Sequence, residues 1–303
     1  MRHDYKIKSN LSKDEKAHLL NILNNSGCKN IYLHHSIFIN SEKFSFILPE
    51  NYMDNNIPFI SAYNKSNGEL HFFSSTIDGV SLFQNVLLAT NNLKDIGKGI
   101  QYLGIDAESS KWLFKNNVSL LSKLIEMNEY YVYTLNKDKF QYNCNLLEAK
   151  IIKDNNTKFC FATNKKDIIR LLNLQKGYLY EEMQYPNQIL SEKFIYLNLQ
   201  KIIKLYRLFF LEKNNYIVAK CEWNAFSDKI FQIGGVFVEP SFRNENFAYT
   251  MLFKMLNHSF SNLQMDEASL FVRMSNLKAQ KLYEKLLFER YKTNLVWAIF
   301  KIN

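Results

Sequence analysis

The sequence predicts a mixed α/β fold built from two successive units, and three observations predict it. Helical apolar spacing alternates with short runs of β-forming residues along all 303 residues. The polar triplet Asp154-Asn155-Asn156 interrupts this alternation near the middle. After the triplet the pattern restarts, as a strand, two helices and an antiparallel meander. The expected units are therefore residues 1–150 and 155–303. A chain of this length is long for one domain and sufficient for two.

The elements follow in order. Ser12 and Glu15 have capping-box spacing, Leu19, Leu20 and Leu23 give an apolar face, and Gly27 suits a stop, so the first helix lies here. Ile31-Tyr32-Leu33 and Ser36-Ile37-Phe38-Ile39 read as extended. Phe59–Tyr63 and Glu69–Phe73 flank Asn67-Gly68 and predict a hairpin. A helix is expected over about 107–127, and Tyr130–Leu135 is rich in β-formers. Beyond the triplet, 158–162 reads as a strand. Thr163 is placed to cap a helix whose apolar positions are Ile168, Ile169, Leu171 and Leu172. A second helix covers about 190–204. Strands follow at 206–212, 216–223 and 230–238, the first two joined by Lys213-Asn214-Asn215. Both halves contain a hairpin followed by strand, helix and strand, the pattern a degenerate duplication would leave.

Composition narrows the function classes. Hydrophobic residues make up 47% and charged residues 22%, which excludes a disordered chain. The net charge of +9 would suit a polyanionic partner, but the lysines are scattered with no block of five or six. A solvated basic surface accounts for it, so a nucleic-acid partner is disfavoured. Cys28, Cys144, Cys160 and Cys221 form no C-x-x-C pair and no cluster with zinc spacing, so no metal is expected. A polar amino terminus without an apolar signal core, and no apolar run long enough to span a bilayer, lead us to expect a cytoplasmic protein.

Chemistry is concentrated between Gly234 and Ala248. Val236, Phe237 and Val238 end a strand, and Pro240 stops its ladder because it has no N–H to donate. A polar turn from Ser241 to Glu245 follows. Ala248, Met251, Leu252, Met255 and Leu256 then have helical spacing. The first N–H groups of a helix lack intrahelical partners, and its dipole places about half a positive charge at that end. Arg243 adds a full charge, so the turn is suited to an anion such as a pyrophosphate. Gly234-Gly235 inside the strand fits a bulge or a close ligand approach equally with a simple irregularity.

The stretch Arg243-Asn244-Glu245-Asn246-Phe247-Ala248, led by Val238-x-Pro240, resembles the acetyl-CoA-binding loop of the GNAT superfamily of N-acetyltransferases. That family reads Arg/Gln-x-x-Gly-x-Gly/Ala here. Asn246 stands where the family usually has glycine, and Asn244 also replaces a frequent glycine. Asparagine is among the few residues that tolerate positive φ, so the turn can survive. Downstream, Asn276, Ala279, Tyr283 and Phe288 follow a strand at 268–272 and resemble the family's second signature, with Leu287 in place of glycine. The two blocks cover about half the chain.

The resemblance implies a mixed, mostly antiparallel sheet with helices on both faces in the second half. It also implies a smaller, degenerate unit of the same kind in the first. It implies acetyl-CoA as co-substrate and an amine-bearing acceptor, which would be a small amine, an amino acid or a protein amine. Val236, Phe237, Val238 and the residues from Arg243 to Ala248 would hold the cofactor, with Asn276 on the pantetheine arm and Tyr283 beside the sulfur as general acid. A backbone N–H near Val238 would polarise the thioester carbonyl. A phenol titrates near 10 and a thiol near 8.5, so the proton transfer from Tyr283 costs roughly 2 kcal/mol in water, which enclosure can offset. For the base, Glu181, Glu182 and Glu222 are candidates that would otherwise be solvated carboxylates, and a water chain would also serve. Two other readings remain open: a tandem acyltransferase using a donor such as aminoacyl-tRNA, and a CoA-binding module without turnover. A monomer and a homodimer are both compatible with the sequence.

Overall fold

The computed structural model describes residues 5–24, 30–39, 42–74, 76–90, 100–154, 156–183, 190–204 and 207–301. Gly27, Cys28, Asn155 and Tyr206 lie outside them. The first half contains β1 (Tyr5–Lys8), α1 (Lys13–Asn24), α2 (Ile31–Ile39), β2 (Phe44–Pro49), β3 (Phe59–Asn64) and β4 (Glu69–Ser74). It continues with α3 (Ile77–Thr90), β5 (Tyr102–Asp106), α4 (Ala107–Asn116), α5 (Val118–Leu121) and β6 (Leu124–Asn136). Two short helices, α6 (Lys137–Tyr142) and α7 (Cys144–Glu148), lead onward. The second half contains β7 (Thr157–Phe161), α8 (Lys165–Glu181), α9 (Glu192–Ile203), β8 (Leu208–Lys213), β9 (Tyr216–Phe226) and β10 (Ile230–Val238). It ends with α10 (Phe247–Ser261), β11 (Glu267–Arg273), α11 (Leu277–Lys285), β12 (Glu289–Arg290) and β13 (Leu295–Phe300).

The thirteen strands among the described residues join one sheet, in the order β1-β2-β3-β4-β5-β13-β6-β11-β10-β9-β8-β7, with β12 on β6. The two halves repeat one plan. Each begins with an antiparallel meander, β1 to β4 or β7 to β10. Each then adds a parallel fifth strand through a helical crossover, β4 to β5 through α3 and β10 to β11 through α10. Parallel neighbours require such a crossover. Each half then gives its last strand to the other: β6 pairs with β11, and β13 pairs with β5. Because β13 and β6 also pair with each other, the backbone of each half is bonded into the other half's sheet.

Helices cover both faces in each half. In the second, α10 packs over the core that includes Phe231, Met251, Met255 and Phe260, while α8 and α9 seal the other face around Leu171, Leu199 and Phe237. In the first, α3 and α4 cover Phe83, Ile105 and Leu113, and α1 with α2 cover Leu19, Ile37 and Phe46. No helix among the described residues is long and apolar enough to cross a membrane.

Three local expectations are corrected. Residues 31–39 are helical rather than extended. Ile31, Leu33, His34, Ser36 and Ile37 are all buried, because α2 lies between the two halves against β3, β4, β9 and β10. A helix enclosed on all sides has no polar face to give a 3.6-residue period, and packing overrides the β propensity of its residues. The helix expected over 107–127 ends at Asn116; Asn117 then caps α5 through its side chain (3.1 Å to the Leu120 N–H), and Leu124 onward pairs with β13. Asn164 rather than Thr163 caps α8, in a reciprocal capping box with Asp167. Ile168 and Leu171 on that helix are buried, but Ile169 is exposed.

Candidate functional site

The parallel pairing of β10 with β11 runs from Ile230↔Glu267 to Ile233↔Leu270 and stops. Gly234–Val238 and Phe271–Arg273 continue without partners in that ladder, so the two strands separate into a wedge. On its other edge β10 slips against β9: Gly234 faces Glu222, but Phe237 faces Lys220. One extra residue of β10 is accommodated there, a β-bulge. The glycines make it possible. Gly235 has φ +56°, and a Cβ on it would come within 2.6 Å of the Glu222 carboxyl carbon. A Cβ on Gly234 would fall 1.9 Å from the Asn224 amide nitrogen.

A cavity of about 450 Å³ fills the wedge. Gly234, Gly235 and Val236 form one wall, and Phe271, Val272 and Arg273 the other. From α11 come Asn276 and Tyr283. Asn276 also caps that helix, accepting from the Ala279 N–H at 3.1 Å. Glu182 at the end of α8 and Glu222 on β9 reach the same cavity, the first exposed and the second buried. Glu181 points elsewhere, to Arg243 (2.7 Å). Tyr283 is buried, and burial, with Glu182 and Cys221 adding to it, pushes its phenol above the usual range. Tyr178 and Tyr32 are pushed up by burial in the same way, so the cavity is walled by neutral phenols.

The loop beyond β10 begins with a 3-10 turn at Pro240–Phe242. Asn244 and Asn246 both take φ of 66°, the left-handed conformation in which glycine is commonest and asparagine tolerated. The Asn246 amide donates to the Lys150 carbonyl at 2.6 Å and makes no cap bond to α10. The first-turn N–H groups of α10 are thus left for another anion. Arg243 lies over the Phe237 ring, donates to the Val238 carbonyl at 3.1 Å and pairs with Glu181. Glu245 sits 3.7 Å from Lys213. Phe247 is buried and Ala248 half-buried at the head of α10. Phe237 and Val238 do not line the cavity, and Phe237 belongs to the core under α8.

Several lining residues gave no local signal in the sequence. Tyr32 on α2 and Tyr130 on β6 come from the first half. The Tyr32 hydroxyl is held by the Gln232 and Asn224 side chains, and its ring stacks on His71 at 4.8 Å. Lys220 is wholly buried behind the bulge, and its only sequence signal is a lysine inside the apolar run Ile217–Trp223.

The corresponding place in the first half is built differently. There β4 and β5 pair only from Glu69↔Tyr102 to His71↔Gly104, but β4 ends at Ser74 and α3 begins at Ile77, so no arginine-bearing loop separates strand from helix. His71 and Trp297, whose ring centroids lie 5.5 Å apart, pack against Gly104. Among the described residues, no group of three or more His, Cys, Asp or Glu side chains could hold a metal ion.

A sequence model of the Acetyltransferase (GNAT) family matches residues 166–288, a span that contains the bulge, the Arg243 loop, Asn276 and Tyr283. No curated protein matches the sequence. The fold is similar to that of a Drosophila protein of solved structure (TM-score 0.68, 12% identity, 97% of this chain and 98% of that one). It is also similar to a tandem GNAT protein from the clavulanic acid biosynthesis pathway (TM-score 0.60, 9% identity, 98% of each chain). A GCN5-related N-acetyltransferase from Sphaerobacter thermophilus is a third (TM-score 0.58, 11% identity, 98% of this chain and 96% of that one). At these identities the likenesses speak for the fold, and the family match covers the half that carries the motifs. Residues 166–288, within the carboxy-terminal half, therefore form a domain of the GNAT family, and the chain as a whole shares the fold of these proteins.

Proposed function

We propose that the protein transfers the acetyl group of acetyl-CoA to a primary amine by direct attack on the thioester. The observation that carries this reading is the wedge between β10 and β11, a cavity walled on one side by a bulged, unpaired strand and reached by Tyr283 and two carboxylates. The loop fits the donor: Arg243 and the open first turn of α10 offer positive charge to a pyrophosphate, and both asparagines keep the glycine-like backbone path. Val236 and Asn276 would guide the pantetheine arm into the wedge. The amine nitrogen attacks the carbonyl carbon, the carbon–sulfur bond breaks, and the sulfur takes the Tyr283 proton. Glu222 or Glu182 accepts the proton the amine gives up. The first half contributes Tyr32 and Tyr130 to the acceptor side and, by exchanging strands, fixes them there.

Calorimetric titration with acetyl-CoA tests the donor site. Micromolar binding is expected for the wild type. Arg243 is partly exposed, so Arg243→Ala should weaken binding about tenfold, the low end for a hydrogen bond to a charged group. Glu181→Gln should do the opposite, about two- to fivefold, because it removes an exposed carboxylate that competes for the same guanidinium. Equal affinities in all three proteins would remove Arg243 from the site. No binding by the wild type would remove acetyl-CoA as donor, and salt-sensitive binding of aminoacyl-tRNA would then be the reading to pursue.

A further inference from the structure

A buried lysine lies behind the bulge, and its pairing with Glu222 is a poor source of stability. Lys220 has no exposed surface. Its Nζ donates to the Gly235 carbonyl at 2.9 Å, lies 4.4 Å from the centre of the Tyr178 ring and 3.6 Å from the nearer Glu222 oxygen. The Glu222 oxygen it faces is itself buried without a hydrogen bond. Taking an ion pair out of water at such loose geometry costs more than its attraction returns, and a pair of apolar side chains in place of Lys220 and Glu222 would pack there without that cost. Burial accordingly lowers the Lys220 pKa, against the pull of Glu222.

The carbonyl that Lys220 holds belongs to the peptide between Gly235 and Val236, the two residues the bulge leaves without partners on β9. Cross-strand pairing jumps from Gly234↔Glu222 to Phe237↔Lys220, so the Gly235–Val236 peptide is not fixed by β9 backbone. A trans peptide is planar, with its C=O and N–H pointing in opposite directions. Drawing the Gly235 carbonyl toward Lys220 therefore turns the Val236 N–H the other way, and Gly235 and Val236 both line the cavity. A hydrogen bond to the carbonyl also polarises the peptide and strengthens its N–H as a donor.

We propose that Lys220 is a positioning residue: its amino group clamps the Gly235–Val236 peptide so that the Val236 N–H is aimed at the thioester carbonyl oxygen of the donor. This rests on the acetyltransferase reading. It moves the polarising N–H from the neighbourhood of Val238 to Val236. Negative charge develops on that oxygen as the amine adds, and a donor fixed beforehand stabilises it without reorganisation.

The test needs no acceptor. Acetyl-CoA labelled with ¹³C at the thioester carbonyl is bound to wild type, Lys220→Met and Lys220→Gln, and the carbonyl stretch is read by difference infrared spectroscopy beside calorimetry and thermal unfolding. In the wild type the band should move to lower wavenumber than in free acetyl-CoA. Lys220→Met should lose most of that shift while binding acetyl-CoA within about threefold of wild type, and it should melt lower, because Glu222 and the Gly235 carbonyl lose a buried partner. Lys220→Gln, which keeps a neutral donor for the Gly235 carbonyl, should retain part of the shift. An unchanged band in Lys220→Met overturns the proposal and leaves the donor reading intact. Variants that do not fold, or a shift lost equally in Lys220→Met and Lys220→Gln, make Lys220 a structural residue and also overturn it. Failure of the wild type to bind acetyl-CoA removes the donor reading and the proposal with it.

Discussion

Replacing Tyr283 by phenylalanine is expected to lower the rate of thiol release from acetyl-CoA by about 10²- to 10⁴-fold, the usual contribution of a positioned general acid. The affinity for acetyl-CoA should stay within about threefold of wild type. The expectation follows from where the phenol sits. Tyr283 is buried at the inner end of α11, its ring against Tyr133 and Phe288, with 6.4 Å and 6.0 Å between centroids. Those contacts fix the ring and are kept by phenylalanine, so the variant removes one oxygen and little packing. Burial pushes the phenol up, and Glu182 and Cys221 push in the same direction. It therefore enters the reaction protonated at any ordinary pH. The same shift makes full transfer to a thiolate less favourable than in water, so the proton must move as the carbon–sulfur bond breaks. The check is steady-state turnover with an amine that the wild type acetylates, read together with calorimetry on the same preparation. A variant with normal kcat would show that Tyr283 is only a wall of the cavity. A variant that lost binding in proportion to rate would make it a contact for the pantetheine arm and not an acid.

The shape of the loop after β10 was legible because everything that makes it is local. Pro240 ends a strand, Arg243 supplies charge, and asparagines at 244 and 246 take the left-handed turn that glycine would take. The capping box at Ser12 and Glu15 was legible for the same reason, and both of its hydrogen bonds are present. What could not be read depends on partners far away in the chain. Leu124–Met127 carry no strong strand pattern, and they are extended because β13 arrives from the other end to pair with them. The exchange of β6 and β13 leaves no mark in composition or periodicity, since each strand would look the same in its own half. Residues 31–39 misled for a related reason: in a helix buried between the halves, His34 and Ser36 lie inside with the apolar residues, and no polar face marks a helical period. Lys220 is the sharpest case. Its apolar neighbours mark a buried strand but not a buried lysine side chain with a role, and only the slip of β10 against β9 gives it a carbonyl to hold. The chemistry-bearing types could therefore be named from sequence, while Tyr32, Tyr130 and Lys220 needed the fold.

Mild acid should destabilise the protein well before its carboxylates titrate. His34 is fully buried and His35 partly so, on the helix that joins the two halves. Burial lowers both to about 4, against a backbone contact and Asp228 for His34. At His35, Phe226 and Glu69 pull upward while Arg207 and His71 push down with burial. In the unfolded chain a histidine titrates near 6.5. Between these values the unfolded state binds protons that the folded state does not, so stability falls as pH drops from about 6.5 toward 4 and is fully present above that window. A depression of this size corresponds to on the order of 3 kcal/mol for His34, and less for the more accessible His35. Glu15 works in a separate window. Its burial alone would raise it, but Lys8, Tyr52 and the Ser12 N–H outweigh that and hold it at about 2, so its contribution is lost only as pH falls below about 4.5. Thermal unfolding between pH 7.5 and pH 4.5, with His34→Met beside wild type, separates the two. The wild-type melting temperature should fall steeply below pH 6.5, and the variant should lose the larger part of that slope. A wild-type curve that stays flat to pH 5 would mean that α2 opens to admit the proton, and that the seam between the halves is looser than the exchanged strands imply.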